Sequence, residues 1–326
     1  GSEMCIRDSL ELDIGSAATS MGGAYVSVAN DVSSAYWNPA GLAYINSKQT
    51  MFMYQPWIVG INNIYAGVAI NYPLYGTLAL TMNYMDYGDE AVTTVSNPEG
   101  TGEFYSASEF AASVSYGRRI VNWFSFGASA KYISSNIWHM SANAIAFDLG
   151  VLVTTDFFSP TGKRNQGMKI GMSISNYGTR LRYDGMDLLV PIDPNPNEYG
   201  NFDDVEGLYN TSEWELPLIF RLGFSVQPIY TNNLRLLVAA DALHPNNNNE
   251  SINIGTQLTY LQPGKLNLYL RGGYKGLFLK DSEYGLTYGG GLRIYLSDFN
   301  FFDLDYTYKT MGLLGDVHLY TFKFSF

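Results

Sequence analysis

The side chains that most often carry out catalysis are few in this chain and stand far apart. The three histidines, His139, His244 and His318, have no cysteine or second histidine at a spacing that would bind a metal ion. The single cysteine is Cys5, and neither a G-x-S-x-G nucleophile motif nor a phosphate-binding P-loop occurs. We therefore predict that the protein is not an enzyme and uses no cofactor and no catalytic metal.

A second group of candidate side chains lies in the acidic segment 178–214. Its carboxylates include Asp184, Asp187, Asp193, Glu198, Asp203, Asp204 and Glu206. Carboxylates at this density could bind Ca²⁺, but their spacing matches no calcium-binding loop, and the alternative is a solvated acidic surface. The segment also contains an apolar run, Met186, Leu188, Leu189, Val190 and Pro191. An exposed apolar run is either a docking site for a partner or a lid that folds over the neighbouring surface.

The composition narrows the class of protein that positions these side chains. Of the 326 residues, 15% are aromatic and only 15% are charged, whereas a soluble domain usually has about a quarter charged residues. No stretch approaches the roughly 20 apolar residues that a membrane-spanning helix needs. The net charge of −11 argues against nucleic acid as a partner, because nucleic acids are bound by basic patches.

The C-terminal residues 315–326 alternate between two faces and end on Phe326. One face is aromatic, with Tyr320, Phe322 and Phe324, and the other is mixed. Similar segments of about ten residues recur between turn residues, which is typical of transmembrane β-barrels. We predict fourteen strands, at 47–57, 62–74, 76–87, 107–117, 122–135, 139–155, 166–177, 215–228, 232–244, 250–261, 264–277, 284–296, 299–310 and 315–326.

Alternation alone also fits a soluble β-sandwich, in which the charged faces would point to water. The lengths of the connections separate the two folds, because outer-membrane barrels have short periplasmic turns and long external loops. The two longest predicted connections, 88–106 and 178–214, are the third and the seventh, and both are external if the first strand runs outward. We therefore predict an all-β fold, a transmembrane antiparallel barrel of about fourteen strands.

The charged residues of the predicted strands gather on one face, which lines the lumen in a barrel. We interpret them as an ion-pair network that fills the lumen. Its members are Lys131, Asp148, Lys169, Arg221, Arg235, Asp241, Arg271, Arg293, Asp303, Asp305 and Lys323. One register of the last hairpin would place Asp303 opposite Lys323.

The residues 10–46 do not alternate and are rich in small side chains. Pro39 restricts Asn38 to an extended conformation, from which the Asn38 side chain can hydrogen-bond to nearby backbone. This segment resembles the N-terminal motif of the PorV/PorQ family within the FadL-like outer-membrane proteins. The matching residues are Met21, Gly22, Gly23, Ala24, Asn30, Asp31, Trp37, Asn38, Pro39, Ala40 and Gly41.

The chain divides into three predicted parts. Residues 1–9 form a leader that looks foreign to the rest and lacks the charged region and apolar core of a signal peptide, so we expect the signal peptide to be absent from this sequence. Residues 10–46 form a plug or hatch of short helices inside the barrel, and residues 47–326 form the barrel. The plug is either a gate or a purely structural filler.

The resemblance implies a bacterial outer-membrane protein in contact with outer-membrane lipid. It also implies an accessory or cargo-shuttle role in type IX protein secretion, with a translocon subunit or the C-terminal domain of a secreted protein as partner. The alternative is a FadL-like channel for hydrophobic small molecules, in which the N-terminal segment moves. A structural outer-membrane protein is a third possibility. The charged lumen faces favour the secretion role, because they offer no apolar stripe for a ligand.

Overall fold

The computed structural model describes residues 8–193, 205–279, 283–297 and 300–326. Within them, fourteen antiparallel strands form a closed barrel. The barrel strands are β1 (Gln49–Pro56), β2 (Asn62–Tyr72), β3 (Gly76–Ala91), β4 (Phe104–Val121), β5 (Phe124–Ile137), β6 (Met140–Thr154), β7 (Lys169–Gly178), β11 (Ile219–Tyr230), β12 (Leu234–Pro245), β13 (Ser251–Gln262), β14 (Leu266–Leu277), β15 (Leu286–Tyr295), β16 (Phe301–Thr310) and β17 (Asp316–Ser325). The predicted barrel is confirmed.

The barrel closes where the last strand meets the first. β17 pairs with β1, and Tyr320 lies opposite Tyr54 while Ser325 lies opposite Gln49. Phe326 extends this seam, because its N–H donates to the carbonyl of Lys48 at 2.9 Å and its carbonyl accepts from the N–H of Lys48 at 3.1 Å. A closed ring leaves no unpaired strand edge, which satisfies the backbone hydrogen bonds inside a bilayer.

Alternating burial along each strand separates the lumen from the lipid-facing side. In β17, Tyr320, Phe322 and Phe324 are 37–40% exposed, whereas Thr321 and Ser325 are at most 1% exposed. The outer side chains are apolar and the inner ones are mostly polar or small, as the sequence predicts. This arrangement suits a strand with lipid on one side and a filled lumen on the other.

Two strand boundaries differ from the sequence prediction for identifiable reasons. β4 is longer than the predicted 107–117, because its pairing with β3 resumes after a bulge near Asp86 and continues to Phe104, opposite Ala91. β11 begins at Ile219 rather than at residue 215. Pro217 has no N–H for the strand ladder, which is consistent with the later start.

The connections are long at one end of the barrel and mostly short at the other. The long-loop end has the connections 92–103 and 179–218, and the short-turn end has 73–75, 122–123 and 231–233. By the usual asymmetry of such barrels, the long-loop end is external and the short-turn end faces the periplasm.

The segment 178–214, predicted to be an unstructured loop, contains secondary structure, and that prediction was wrong. β8 (Asp184–Gly185) pairs with Met140 and Ser141 of β6. β9 (Leu189–Ile192) and β10 (Val205–Leu208) form a separate two-stranded hairpin. The run Leu189 to Ile192 is apolar but contains Pro191, and proline weakens the strand signal. We call β9, β10 and the preceding 3₁₀ helix Met186–Leu188 the external hairpin.

The N-terminal segment, residues 10–46, lies inside the barrel. It contains the end of α1 (Asp8–Glu11), α2 (Ser16–Ser20) and α3 (Ser34–Trp37). Further 3₁₀ helices are Pro39–Tyr44, Ile58–Gly60, Arg164–Gln166, Met186–Leu188 and Gly312–Leu314. None of the helices among the described residues is long and apolar enough to cross a membrane. Residues 1–7 of the predicted leader lie outside the described residues, and α1 begins at Asp8.

Candidate functional site

Asn38 and Pro39 fix the course of the N-terminal segment through the lumen. Asn38 is extended, with φ −162° and ψ 104°, and Pro39 is the first residue of the following 3₁₀ helix. The Asn38 Nδ2 donates to the carbonyl oxygens of Val26 at 2.9 Å and Val151 at 3.0 Å. Its Oδ1 accepts from the Ala40 N–H at 3.1 Å. One fully buried side chain therefore joins two parts of the segment to the barrel strand β6.

Trp37 anchors the same stretch by packing. Its indole is 2% exposed and its Nε1 donates to the carbonyl of Ile14 at 2.8 Å. Tyr25 and Tyr36 meet its ring edge-on, with centroids 6.1 and 5.1 Å away. The guanidinium of Arg221 lies 5.6 Å from the same ring. Such aromatic and cation–π contacts stabilise one arrangement of the side chains.

Met21, Gly22 and Gly23 form a tight turn against the barrel wall. Gly22 and Gly23 have φ of +66° and +76°, which favours glycine. The Gly22 N–H donates to the Thr287 hydroxyl at 3.0 Å, and a Cβ at Gly22 would lie 2.8 Å from the backbone of Tyr274. Met21 is fully buried. The positive φ values and the close wall therefore favour glycine at positions 22 and 23.

Gly41 makes a comparable close approach. A Cβ there would meet the carbonyl of Ala29 and would lie 2.7 Å from the Ser34 hydroxyl. The preceding residue, Ala40, is fully buried. The structure thus places all eight predicted plug residues in the lumen, and it shows why small ones are needed there.

The barrel wall contributes glycines that sequence reasoning missed. Gly117, Gly127 and Gly150 lie opposite one another on β4, β5 and β6. A Cβ at Gly127 would overlap the backbone of Pro39, and one at Gly117 would lie 2.7 Å from the Leu42 Cβ. The signal was present in the sequence, since glycine inside a strand often marks a close approach of backbone.

Lys323 is the centre of the main ion-pair cluster in the lumen. Its Nζ lies 2.9 Å from Asp31 Oδ2, 3.3 Å from Asp305 Oδ2 and 3.5 Å from Asp303 Oδ2. The register of the last hairpin places Asp303 opposite Lys323, which is one of the registers that the sequence allows. Asp31 belongs to the N-terminal segment, so this cluster joins the segment to the strands β16 and β17.

Two arginines complete this cluster. Arg271 Nη1 lies 2.6 Å from Asp305 Oδ1. Arg293 donates to both carboxylate oxygens of Asp303, from Nε at 2.7 Å and from Nη2 at 2.8 Å. The three cations and the three carboxylates balance, which offsets part of the large cost of burying charge.

A second cluster ties the beginning of the segment to the wall. Asp13 lies 2.8 Å from Lys275 Nζ and 3.6 Å from Lys309 Nζ. Burial alone would raise the pKa of Asp13, but the attraction of Lys275 and Lys309 outweighs burial and lowers it. Sequence reasoning missed Asp13 as a partner because the segment 10–46 has no periodicity that would assign it a face.

Three predicted members of the network, Arg221, Arg235 and Asp241, face the lumen. None of them forms an ion pair with another described residue. Arg221 donates to the Ser175 hydroxyl at 2.9 Å. Asp241 Oδ2 accepts from the backbone N–H groups of Tyr25 at 2.7 Å and Val26 at 2.8 Å. Arg235 lies over the ring of Tyr230. These three residues are therefore not joined to the ion-pair clusters at salt-bridge distance; a hydroxyl, backbone N–H groups and an aromatic ring contact them instead.

The external connection 179–218 has an anchored base. Leu181 and Leu216 are buried in one cluster with Leu10 of the N-terminal segment. The His139 Nδ1 and Asp187 Oδ1 are 3.0 Å apart at the rim. The base of this connection therefore covers the outer end of the lumen, which resembles the predicted lid.

The apolar run itself is more exposed. Met186 is 71% exposed, Leu189 is 44% exposed, and Val205 and Leu208 of the opposite strand are about equally accessible at 47% and 55%. Pro191 is exposed, and Leu188 and Val190 are half-buried. Of the acidic residues nearby, Glu198, Asp203 and Asp204 lie outside the described residues. Within the described ranges, no group of three or more carboxylate, histidine or cysteine side chains could hold a metal ion.

Two cavities of different size lie in the lumen among the described residues. A polar cavity of about 800 Å³ lies between the N-terminal segment and the short-turn end, and turn residues such as Pro263 and Ser297 line its mouth. A second cavity of about 30 Å³ lies between the segment and the wall, lined by Ile14, Tyr36 and Tyr65. The second volume is close to that of one water molecule.

Comparison with known proteins identifies the family. The family described as "Type IX secretion system protein PorV" matches residues 10–213, which is more than half of the chain and includes the complete N-terminal segment. The chain belongs to the PorV family. The resemblance seen in the sequence is thereby confirmed. Comparison with curated proteins finds no match.

Solved structures similar to this PorV-family chain have the same fold. The monoaromatic hydrocarbon channel CymD has a TM-score of 0.57 at 10% identity, covering 98% of this chain and 99% of CymD. The Ralstonia pickettii toluene transporter TbuX has a TM-score of 0.57 at 11% identity, covering 96% and 98%. A Pseudomonas aeruginosa FadL homologue has a TM-score of 0.55 at 11% identity, also covering 96% and 98%. At these identities the similarity concerns the fold alone.

The barrel fold and the family together imply an outer-membrane protein in a lipid environment with a connection to type IX secretion. The family description and the titles of these structures name a secretion protein, a channel and a transporter, and none of them names an enzyme.

Proposed function

We propose that this PorV-family barrel is an accessory or cargo-shuttle component of type IX protein secretion that binds a protein partner through its external hairpin. The partner is the C-terminal domain of a secreted protein or a subunit of the translocon. The observation that carries the proposal is the exposed apolar surface of Met186, Leu189, Val205 and Leu208, which stands at the external end on an anchored base. Apolar patches that stay exposed beside polar surroundings are typical of protein-binding sites.

The N-terminal segment inside the lumen supports the same proposal. The N-terminal segment crosses the lumen in contact with both halves of the wall, through Asn38 on β6 and through Asp31 on β17. The function then depends on the outside of the barrel, and the plug residues Met21, Gly22, Gly23 and Trp37 hold the segment in place.

The alternative is a channel for hydrophobic small molecules, in the manner that the titles of the similar structures state for those proteins. A hydrophobic solute would need an apolar cavity of its own size. The apolar cavity of about 30 Å³ is too small for it, and the cavity of about 800 Å³ is lined mainly by polar and charged groups. A channel would therefore require the N-terminal segment to move.

Co-purification from native membranes distinguishes the two functions. We would compare the wild type with the double variant Met186→Asp and Leu189→Asp, which places charges on the exposed apolar surface. The matched control is Val95→Asp, a fully exposed apolar residue of the external connection 92–103. We expect the hairpin variant to lose a co-purifying secreted protein and to retain that protein inside the cell, while the control behaves as the wild type does.

The channel function predicts a different result. A hydrophobic small molecule that co-purifies with all three proteins, together with unchanged secretion in cells that carry the hairpin variant, would contradict the secretion role and favour the channel.

A further inference from the structure

The cavity at the short-turn end has the size and access of a ligand site. Its volume of about 800 Å³ lies within the range of roughly 300–1,000 Å³ that is usual for small-molecule pockets. Tyr25, Val28 and Asp31 of the N-terminal segment close it toward the outside, and turn residues such as Pro263 line the other end. A solute would therefore enter from the periplasm and stop at the N-terminal segment. We call this space the periplasmic cavity.

The charges that line the periplasmic cavity do not balance. Asp31, Asp303 and Asp305 are each in contact with Lys323, Arg271 or Arg293, as described above. Two further cations line the same space, Lys169 from β7 and Arg235 from β12. Neither forms an ion pair with a carboxylate in the part of the chain that the structure describes.

Aromatic rings hold these two cations at the wall of the cavity. The Lys169 Nζ lies 5.3 Å from the centroid of the Tyr44 ring, and the Arg235 guanidinium lies 4.3 Å from that of Tyr230. A cation–π contact orients a cation but does not neutralise its charge. The Gln227 side chain lines the cavity between their strands, and its Oε1 has no hydrogen-bond partner among the described residues.

Among the described residues, the surface around the mouth of the cavity is basic, although the chain as a whole has a net charge of −11. Lys48, Lys163, Arg164 and Lys265 are exposed at the short-turn end. Asp156 is the single acidic residue in the described connections at this end. Charge of one sign around an opening raises the local concentration of solutes of the opposite sign.

We propose that the periplasmic cavity is a binding site for a small anion that carries two phosphate or carboxylate groups, with Lys169 and Arg235 as its main cationic contacts. A guanidinium binds planar or tetrahedral oxyanions through paired hydrogen bonds, and an ammonium group attracts them as a point charge. Two cations without carboxylate partners attract an anion that carries two or more negative charges. The site is open to the periplasm and does not depend on the external hairpin, so it is independent of the secretion role.

Calorimetric titration of the purified chain in detergent tests this site. The probes are inorganic pyrophosphate and succinate, titrated separately at low and at high NaCl concentration. The test variant is the double substitution Lys169→Gln and Arg235→Gln, and the matched control is Lys163→Gln with Arg164→Gln. The control removes the same number of charges from the rim of the same end without touching the cavity wall.

We expect saturable binding of at least one probe, weakened at least tenfold in the test variant and less than twofold in the control. Tighter binding of pyrophosphate would assign phosphate as the recognised group, and tighter binding of succinate would assign carboxylate. Salt should weaken the binding because the contacts are ionic.

Two results would overturn the proposal. One is the absence of saturable binding of either probe to the wild type. The other is an equal loss of affinity in the test and control variants, which would mean that the basic rim binds anions nonspecifically. Each variant is first shown to keep the heat-dependent gel mobility of a folded barrel, and the single variant Lys169→Gln replaces the double variant if that one does not fold.

Discussion

At the scale of single residues, Asp31 joins the N-terminal segment to the barrel. Its Oδ1 accepts from the Ser33 N–H at 3.0 Å, and its Oδ2 lies 2.9 Å from Lys323 Nζ. Burial alone would raise the pKa of Asp31, but the attraction of Lys323 and the hydrogen bonds from Ser33 outweigh burial and lower it below the ordinary value of 3.8. The ionised form is therefore the one that the folded protein stabilises.

This direction predicts how stability depends on pH. Because the folded pKa of Asp31 is lowered, its contribution is present above about pH 4 and is lost as the pH falls through the folded pKa. We expect Asp31→Asn to lower the free energy of unfolding by about 3 kcal/mol at pH 7, as for other buried pairs that lose one partner. At pH 2.5, which is below the ordinary carboxyl pKa of 3.8, the difference from the wild type should be smaller. Thermal unfolding in detergent measures both values.

The exposed Asp89, at the external end of β3, provides the control for this prediction. Asp89→Asn should change the unfolding temperature little at either pH. A difference between Asp31→Asn and the wild type that is the same at pH 7 and pH 2.5 would contradict the role assigned to the Asp31 carboxylate.

Asn38 leads to a second prediction at this scale. Asn38→Asp keeps the shape of the side chain but removes the two donated hydrogen bonds, so that a carboxylate faces the carbonyl oxygens of Val26 and Val151. We expect a loss of at least about 2 kcal/mol, because buried acceptors left without donors are costly. Faster protease cleavage within the N-terminal segment would report the loosening. The control Asn97→Asp, in an exposed loop, should leave the cleavage rate unchanged, and equal rates in the two variants would argue against Asn38 as an anchor.

At the scale of elements, the wall and the segment fit together through glycines on the inner face of the strands. Gly117, Gly127 and Gly150 leave a flat surface across three adjacent strands, on which the 3₁₀ helix Pro39–Tyr44 lies. Some of these contacts join backbone to backbone, and backbone atoms cannot move aside as the end of a flexible side chain can. The segment is therefore held by shape as well as by charge.

We predict that Gly127→Ala displaces this helix, because the new methyl group would overlap the backbone of Pro39. Overpacking of this kind costs about 1–3 kcal/mol. Gly290→Ala is the control. The nearest neighbour of a Cβ at Gly290 is the Tyr269 carbonyl oxygen at 3.5 Å, and position 290 lies opposite Leu270 on the lipid-facing side of the barrel. Hydrogen exchange of the amides in Pro39–Tyr44 should rise in Gly127→Ala only. Equal exchange in both variants would contradict the packing of the helix Pro39–Tyr44 against Gly127.

The strands were predictable from the sequence because a strand at a lipid boundary alternates on every second residue. The fourteen-strand count follows from that period, whereas the pairing of Asp303 with Lys323 was one of several registers that the period allows. The external hairpin was missed, because β9 contains Pro191 and its partner β10 comes more than ten residues later in an acidic stretch. The contacts of Asp13 and Asp31 were missed because short helices packed inside a lumen have no period that assigns their faces.

At the scale of the whole molecule, the two ends of the barrel carry opposite charge. Exposed carboxylates such as Asp89, Glu99 and Glu213 lie in or beside the long external connections, whereas Lys163, Arg164 and Lys265 lie at the short-turn end. The apolar surface of the external hairpin interrupts the acidic end. The proposed protein-binding surface therefore lies at the acidic outer end, and the proposed anion site opens at the basic inner end.

Site-specific photo-crosslinking in living cells tests the central claim, that the barrel binds a secretion partner through its external hairpin. A photoreactive residue at Leu189 should give a crosslink to a secreted protein or a translocon subunit. The same residue at Leu270, which is 66% exposed on the lipid-facing wall, should give no such product. A protein crosslink from Leu189 that is absent from Leu270 is the predicted result. The same products from both positions, or no protein product from Leu189, would contradict the account.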